Sequence, residues 1–127
     1  MKNNVLIWSL ILTVLAAIAH FISLEYYLYW RFYWFDTIVH LLAGAAVGCF
    51  AYWLGREIMA KSGRNYSSFS RHILYLALAF VVIIGWEVFE FNFHITDSRG
   101  YYLVASGKDI MSSLVGCLTA LYLIKEK

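Results

Sequence analysis

Five ionisable residues stand inside or at the edge of stretches otherwise apolar enough for a lipid bilayer: Asp36, His40, Glu87, Glu90 and Asp109. A charged side chain near the centre of a membrane helix is disfavoured by roughly 2.5 to 3.5 kcal/mol on insertion scales, so each needs a partner or a task. Residues three, four or seven apart share a helical face. Asp36, His40, Gly44 and Gly48 follow one another at intervals of four. Glu87, Glu90 and His94 follow at intervals of three and four, with Asp97 next in line if the helix continues. Asp109 leads a third such face, through Ser112 or Ser113 to Gly116 and Ala120.

Carboxylates gathered within a membrane cannot all stay ionised and unpaired; they share protons, find cations or bind a metal. The basic residues on that side are Arg31, Arg99 and Lys108. A divalent ion with Asp, Glu and His ligands satisfies such a cluster, and Zn, Mn, Fe and Mg all accept that donor set in different geometries. The metal ligands expected are therefore Asp36, His40, Glu87, Glu90 and Asp109, with Glu87 and Glu90 as the catalytic carboxylates. No residues for an organic cofactor are expected.

Simpler roles compete for some of these positions. Asp36, just after Trp34-Phe35, and Asp109, just after Gly107-Lys108, could each cap a helix N-terminus. Glu87 and Glu90 read as lying near a helix C-terminus, where acids oppose the macrodipole, so capping does not account for them. His40, one turn from Asp36, fits ligation or proton transfer as well as a hydrogen-bonded interior histidine. His20 reads as packing, and His72 as a solvated residue at the cytoplasmic end.

The elements that must hold these residues follow from composition. Of 127 residues, 62% are hydrophobic, 19% aromatic and 14% charged, which excludes a disordered chain and an ordinary soluble domain. Apolar stretches of near bilayer length, about 20 residues for a helix, recur at about 5–24, 35–54, 73–93 and 108–124. They predict an all-α polytopic membrane protein, one transmembrane domain over 1–127, with four helices in a compact antiparallel bundle. The first run ends in Glu25-Tyr26-Tyr27 rather than a small-residue cleavage site, so it is expected to remain as a span.

Lys2, Arg56, Lys61, Arg64, Arg71, Lys125 and Lys127 fall on one side and Arg31, Arg99 and Lys108 on the other. By the positive-inside rule both termini are cytoplasmic, in a multi-pass protein of the inner (plasma) membrane. The loop from Tyr26 to Trp34 is almost wholly aromatic and should lie on the membrane surface. The net charge of +2 is too small and scattered for a nucleic-acid surface. Cys49 and Cys117, each within an apolar run, read as buried thiols.

At about 1.5 Å per residue, His40 lies about 7 Å below the outer start of its helix and Glu87 about 6 Å below the outer end of its own, level with each other. The last apolar run is short, about 22 Å, so spanning a core of about 30 Å would draw Asp109 inward as well. Gly44-x-x-x-Gly48 and Gly116 are small enough for helix backbones to approach closely, which carries the acids together. The same glycines could serve contacts between chains, which admits a homodimer.

The segments Phe35-Asp36-Thr37-Ile38-Val39-His40-Leu41-Leu42-Ala43-Gly44, Gly85-Trp86-Glu87-Val88-Phe89-Glu90 and Lys108-Asp109-Ile110, with Gly116, resemble the small bacterial and archaeal YjdF-like membrane proteins, which are related to the VanZ-like group. The resemblance spans roughly Trp34 to Ala120, and its most specific pieces are Asp-Thr-x-x-His and Trp-Glu-x-x-Glu. It implies an integral membrane protein. VanZ is associated with glycopeptide resistance, so an envelope or lipid-linked substrate would be in keeping. Lys108-Asp109-Ile110-Met111-Ser112-Ser113 also looks like a segment of the small prokaryotic diacylglycerol and undecaprenol kinases. Placement on the outer side, away from ATP, argues against that activity.

The leading expectation is a metal-dependent hydrolase or transferase acting on a lipid or lipid-linked phosphate, with the bilayer as partner. An ion- or proton-coupled transporter is the alternative, although below Glu87 the third run offers only Val81-Val82-Ile83-Ile84. A structural or regulatory subunit whose acids lock the bundle is a further one.

Overall fold

A computed structural model describes residues 2–93 and 102–124. Its elements are helical: α1 (Lys2–Glu25), α2 (Leu28–Arg31), α3 (Tyr33–Ser62), α4 (Ser68–Phe93) and α5 (Tyr102–Leu123). Among the described residues α1, α3 and α4 are long and apolar enough to cross a membrane. The sequence leads one to expect four such helices. α5, 22 residues long, differs because Lys108, Asp109, Ser112 and Ser113 lie in and around its middle.

Helices outrun the apolar stretches that announce them. α3 continues past the apolar run to Ser62, where Gly63 takes up a left-handed φ of 63° and ends it. Ser67 then accepts a hydrogen bond from the Ser70 amide (3.1 Å), the N-cap arrangement that starts α4. α5 begins at Tyr102, so Asp109 lies seven residues into it, about 10 Å along the axis. Its depth comes from that position, not from a short helix being drawn inward, and it is not a cap. Asp36 is not one either. It stands in the first turn of α3, whose N-cap, Phe32, makes no side-chain cap bond.

α3 is the central helix, packed against α1, α4 and α5. The neighbours meet it through small residues. On α1 the buried positions are Ser9, Ala16 and Ser23, one heptad apart, and Ser9 Oγ donates to the Ala46 carbonyl (3.0 Å). Most of the remaining surface of α1 is exposed Ile, Leu, Val, Phe and Trp. A bundle in lipid has this pattern because lipid tails are as apolar as leucine, so association depends on close packing and polar contacts. Along α3 and α5, which run in the same direction, Gly44 rests on the Ser113 backbone, Gly48 on Cys117, and Gly116 on Leu41 and Ala45. A Cβ on Gly48 would stand 2.8 Å from the Cys117 carbonyl oxygen, and those on Gly44 and Gly116 would overlap the opposing carbonyl. Cys49 and Cys117 are free and buried.

α4 runs antiparallel to α3. Its buried stripe is Tyr75, Ala79, Ile83, Glu87 and Glu90, so the face that packs apolar side chains at one end of the bundle delivers two carboxyl groups at the other.

Candidate metal centre

The start of α3, the end of α4 and the first half of α5 meet at one end of the bundle, and His40 is their common point. Two groups of potential ligands share it: Asp36, His40 and Asp109, and His40, Glu87 and Glu90. In each group one donor atom per residue lies within 4.8 Å of the others. His40, Glu87, Glu90 and Asp109 are all buried, and Asp36 partly so.

The local sequence explains the convergence. Asp36 and His40 are one turn apart on α3, so both point from the same face. Glu87 and Glu90 continue the buried stripe of α4. Asp109 is brought against His40 by the glycine contacts one and two turns further along, at Gly44 with Ser113 and at Gly116 with Leu41.

His40 Nε2 lies 3.5 Å from Asp36 Oδ1 and 3.7 Å from Asp109 Oδ2. Ligand atoms bound at about 2.1 Å around a tetrahedral ion stand about 3.4 Å apart, so this edge needs little adjustment to hold one. The wider spread of up to 4.8 Å in the groups as a whole calls for a contraction of the longer carboxylate arms. Ser113 Oγ lies 3.4 Å from His40 Nδ1, at the long limit of a hydrogen bond. With Nδ1 protonated toward Ser113, Nε2 is left with its lone pair facing the carboxylates, the tautomer a metal ligand requires.

One cation is built in. Lys108 Nζ stands 2.7 Å from Asp36 Oδ2, 3.4 Å from Asp109 Oδ1 and 4.6 Å from the Tyr33 ring centroid. Asp109 Oδ1 is buried and accepts no hydrogen bond in spite of that proximity. The 3.4 Å contact is thus electrostatic rather than a formed hydrogen bond, which leaves this oxygen with coordinating capacity.

Beside the centre lies a second pair. His20 Nδ1 and the Tyr29 hydroxyl are 2.7 Å apart, and the His20 ring meets the edge of Trp86 at 6.2 Å. His20 therefore does more than fill space. Tyr29 belongs to α2, a short helix within the aromatic loop, and burial pushes its phenol above the ordinary value, so it remains a neutral hydroxyl.

The five ligand candidates expected from sequence are all brought to this end. Lys108 was visible there as a nearby basic residue, but its pairing with Asp36 across 72 positions leaves no trace in local spacing. Tyr29 reads in sequence as one of many belt aromatics. Arg31 is exposed on α2. His94, Asp97 and Arg99 lie outside the described residues.

A family model described as "Predicted membrane protein (DUF2238)" matches residues 2–125. No curated protein and no solved structure matches the chain.

Proposed function

The chain belongs to the DUF2238 family of predicted membrane proteins, and on that premise we propose a multi-pass protein of the inner (plasma) membrane that holds a divalent metal ion near its outer leaflet. α5 is the fourth span in this reading: its 22 residues extend about 33 Å, enough for a core of about 30 Å. Its charged residues face the bundle, where intramembrane ionisable groups are expected. Both termini are then cytoplasmic, in keeping with the Lys/Arg distribution.

The observation that carries the metal reading is the convergence of three helices on His40, with donors from Asp36, Glu87, Glu90 and Asp109 arranged as two groups around it. A bound Zn, Mn, Fe or Mg ion supplies Lewis-acid polarisation and makes an adjacent water acidic enough to act at neutral pH. The chain's own groups supply the rest. Whichever of Glu87 and Glu90 does not hold the ion would take the proton of the attacking water or hydroxyl, and Lys108 would neutralise a phosphate oxygen. The reaction class is hydrolysis or transfer on a lipid or lipid-linked phosphate ester, in which a P–O bond to the leaving group breaks as the new one forms. The likeness to YjdF-like and VanZ-like proteins is in keeping with an envelope substrate.

One contact favours a second reading. Lys108, 2.7 Å from Asp36, neutralises part of the cluster without an ion, which suits a non-catalytic subunit whose buried ion pairs lock α3 to α5. Elemental analysis of the purified protein decides between them. The metal reading expects one or two ions per chain, lost in both Glu87→Gln and His40→Ala while the variants stay folded. Absence of metal from the parent after growth and purification with each of the four ions would leave the structural lock.

A further inference from the structure

The aromatic loop after α1 carries one of its residues inward. Tyr26, Tyr27 and Trp30 are exposed, whereas Tyr29 is partly buried and its hydroxyl lies 2.7 Å from His20 Nδ1 on α1. The turn that delivers it is strained. Tyr27, the residue before α2, has φ 54° and ψ 34°, a left-handed conformation that a bulky side chain disfavours. Among the described residues no other non-glycine has a positive φ. Backbone strain of this kind concentrates at functional sites, where the surrounding structure holds it in place.

The position reached by Tyr29 flanks the acidic centre. The charges of Asp36, Glu90 and Asp109 all act on its hydroxyl. Its partner His20 packs on the ring of Trp86 (6.2 Å), the residue before Glu87 on α4. Its own bonds nonetheless go to α1: among the described residues the partners of the hydroxyl are His20 and Ser23. Ser23 Oγ gives its hydrogen to the Ala19 carbonyl (2.5 Å), so toward Tyr29 it can only accept. With His20 protonated at Nδ1, the imidazole donates to the phenol oxygen, and Tyr29 keeps one hydrogen to give, which rests on Ser23. That hydrogen can turn about the C–O bond toward an anion, exchanging a neutral hydrogen bond for a charge-assisted one, which is stronger.

We infer that Tyr29 is a substrate-binding residue of the proposed metal centre, donating its hydroxyl hydrogen to an oxygen of a phosphate group bound there, with His20 as the residue that positions it. The inference rests on the metal reading, because without an ion the acidic side chains would repel a phosphate. It goes beyond that reading by making α1 and α2 part of the site. The phosphate would then meet donors from two elements, the Lys108 ammonium on α5 and the neutral Tyr29 hydroxyl on α2.

The test titrates the full-length protein in detergent by calorimetry, with the metal content of every sample measured. The probes are hexylphosphonate, which stands for a lipid phosphate and has no P–O ester to hydrolyse, and inorganic phosphate. Whichever the parent binds more tightly identifies the source of the phosphate group. For that probe Tyr29→Phe should raise Kd by about tenfold, near the least that a hydrogen bond to a charged group contributes, with metal content unchanged. His20→Ala should lose a similar factor. His20→Asn, whose amide N–H can take the place of Nδ1–H, should recover most of it; a histidine that only fills space would show no such recovery. Equal Kd in metal-loaded parent and Tyr29→Phe overturns the inference and leaves the metal reading standing. So does a metal-loaded parent that binds neither probe. A parent without metal overturns the metal reading and this inference with it.

Discussion

Replacing a helical glycine with alanine should have opposite consequences at two positions in this bundle. At Gly44 the added methyl would overlap the Ser113 carbonyl, a backbone atom that cannot rotate away, so α3 and α5 must separate. Overpacking of this kind costs about 1 to 3 kcal/mol, set against a helix-propensity gain of up to about 1 kcal/mol. At Gly85 a Cβ meets nothing within 4 Å, so the propensity gain stands alone. With roughly 4 °C per kcal/mol for a chain of this size, Gly44→Ala should lower Tm by several degrees. Gly85→Ala should leave it unchanged or raise it by up to about 4 °C. Thermal unfolding in one detergent, followed by circular dichroism, compares the two directly. Because His40 and Asp109 are held 3.7 Å apart by this same crossing, Gly44→Ala should also weaken any metal binding. Equal loss of stability in both variants, or none in Gly44→Ala, would refute the close α3–α5 contact and with it the geometry of the centre.

Lys108→Met removes the cation from Asp36 and should destabilise the metal-free protein by about 3 kcal/mol or less, since truncating one member of a buried pair strands the other; Lys108→Met with Asp36→Asn should recover most of that loss in the same melts. Tyr29→Phe takes away the hydroxyl that meets His20 and should cost about 1 kcal/mol, read as a small drop in Tm with no change in metal content. Ser67→Ala deletes the cap of α4 and should cost about 1 kcal/mol, recovered by Ser67→Asp, which can accept the same amide hydrogen bond.

Much of the centre was legible because helices are periodic and lipid is unforgiving. Asp36 with His40, and Glu87 with Glu90, stand out against apolar neighbours, and the 3.6-residue period places each pair on one face. The glycines at 44, 48 and 116 show where backbones can approach. What spacing cannot carry is the partner chosen across the bundle: the contact of Lys108 with Asp36 depends on how α3 and α5 are registered. Helix length was harder to read than helix existence. α5 starts at Tyr102 and α3 ends at Ser62, because backbone hydrogen bonding continues through residues too polar to register as a membrane stretch.

The position of Lys108 also divides the centre into two unequal halves. An ammonium group and a divalent ion cannot both lie against Asp36 and Asp109 without strong mutual repulsion, which in a low-dielectric setting amounts to several kcal/mol. An ion on the aspartate half would therefore have to displace Lys108 toward that end of the bundle, where its long stem would allow the ammonium to reach water. An ion on the glutamate half, where His40, Glu87 and Glu90 bring donor atoms within 4.8 Å of one another, would leave the Lys108–Asp36 pair in place. The second arrangement needs less rearrangement of what is already formed. In that arrangement Asp36 and Asp109 would position Lys108, and the α4 carboxylate that does not hold the ion would be left to accept a proton.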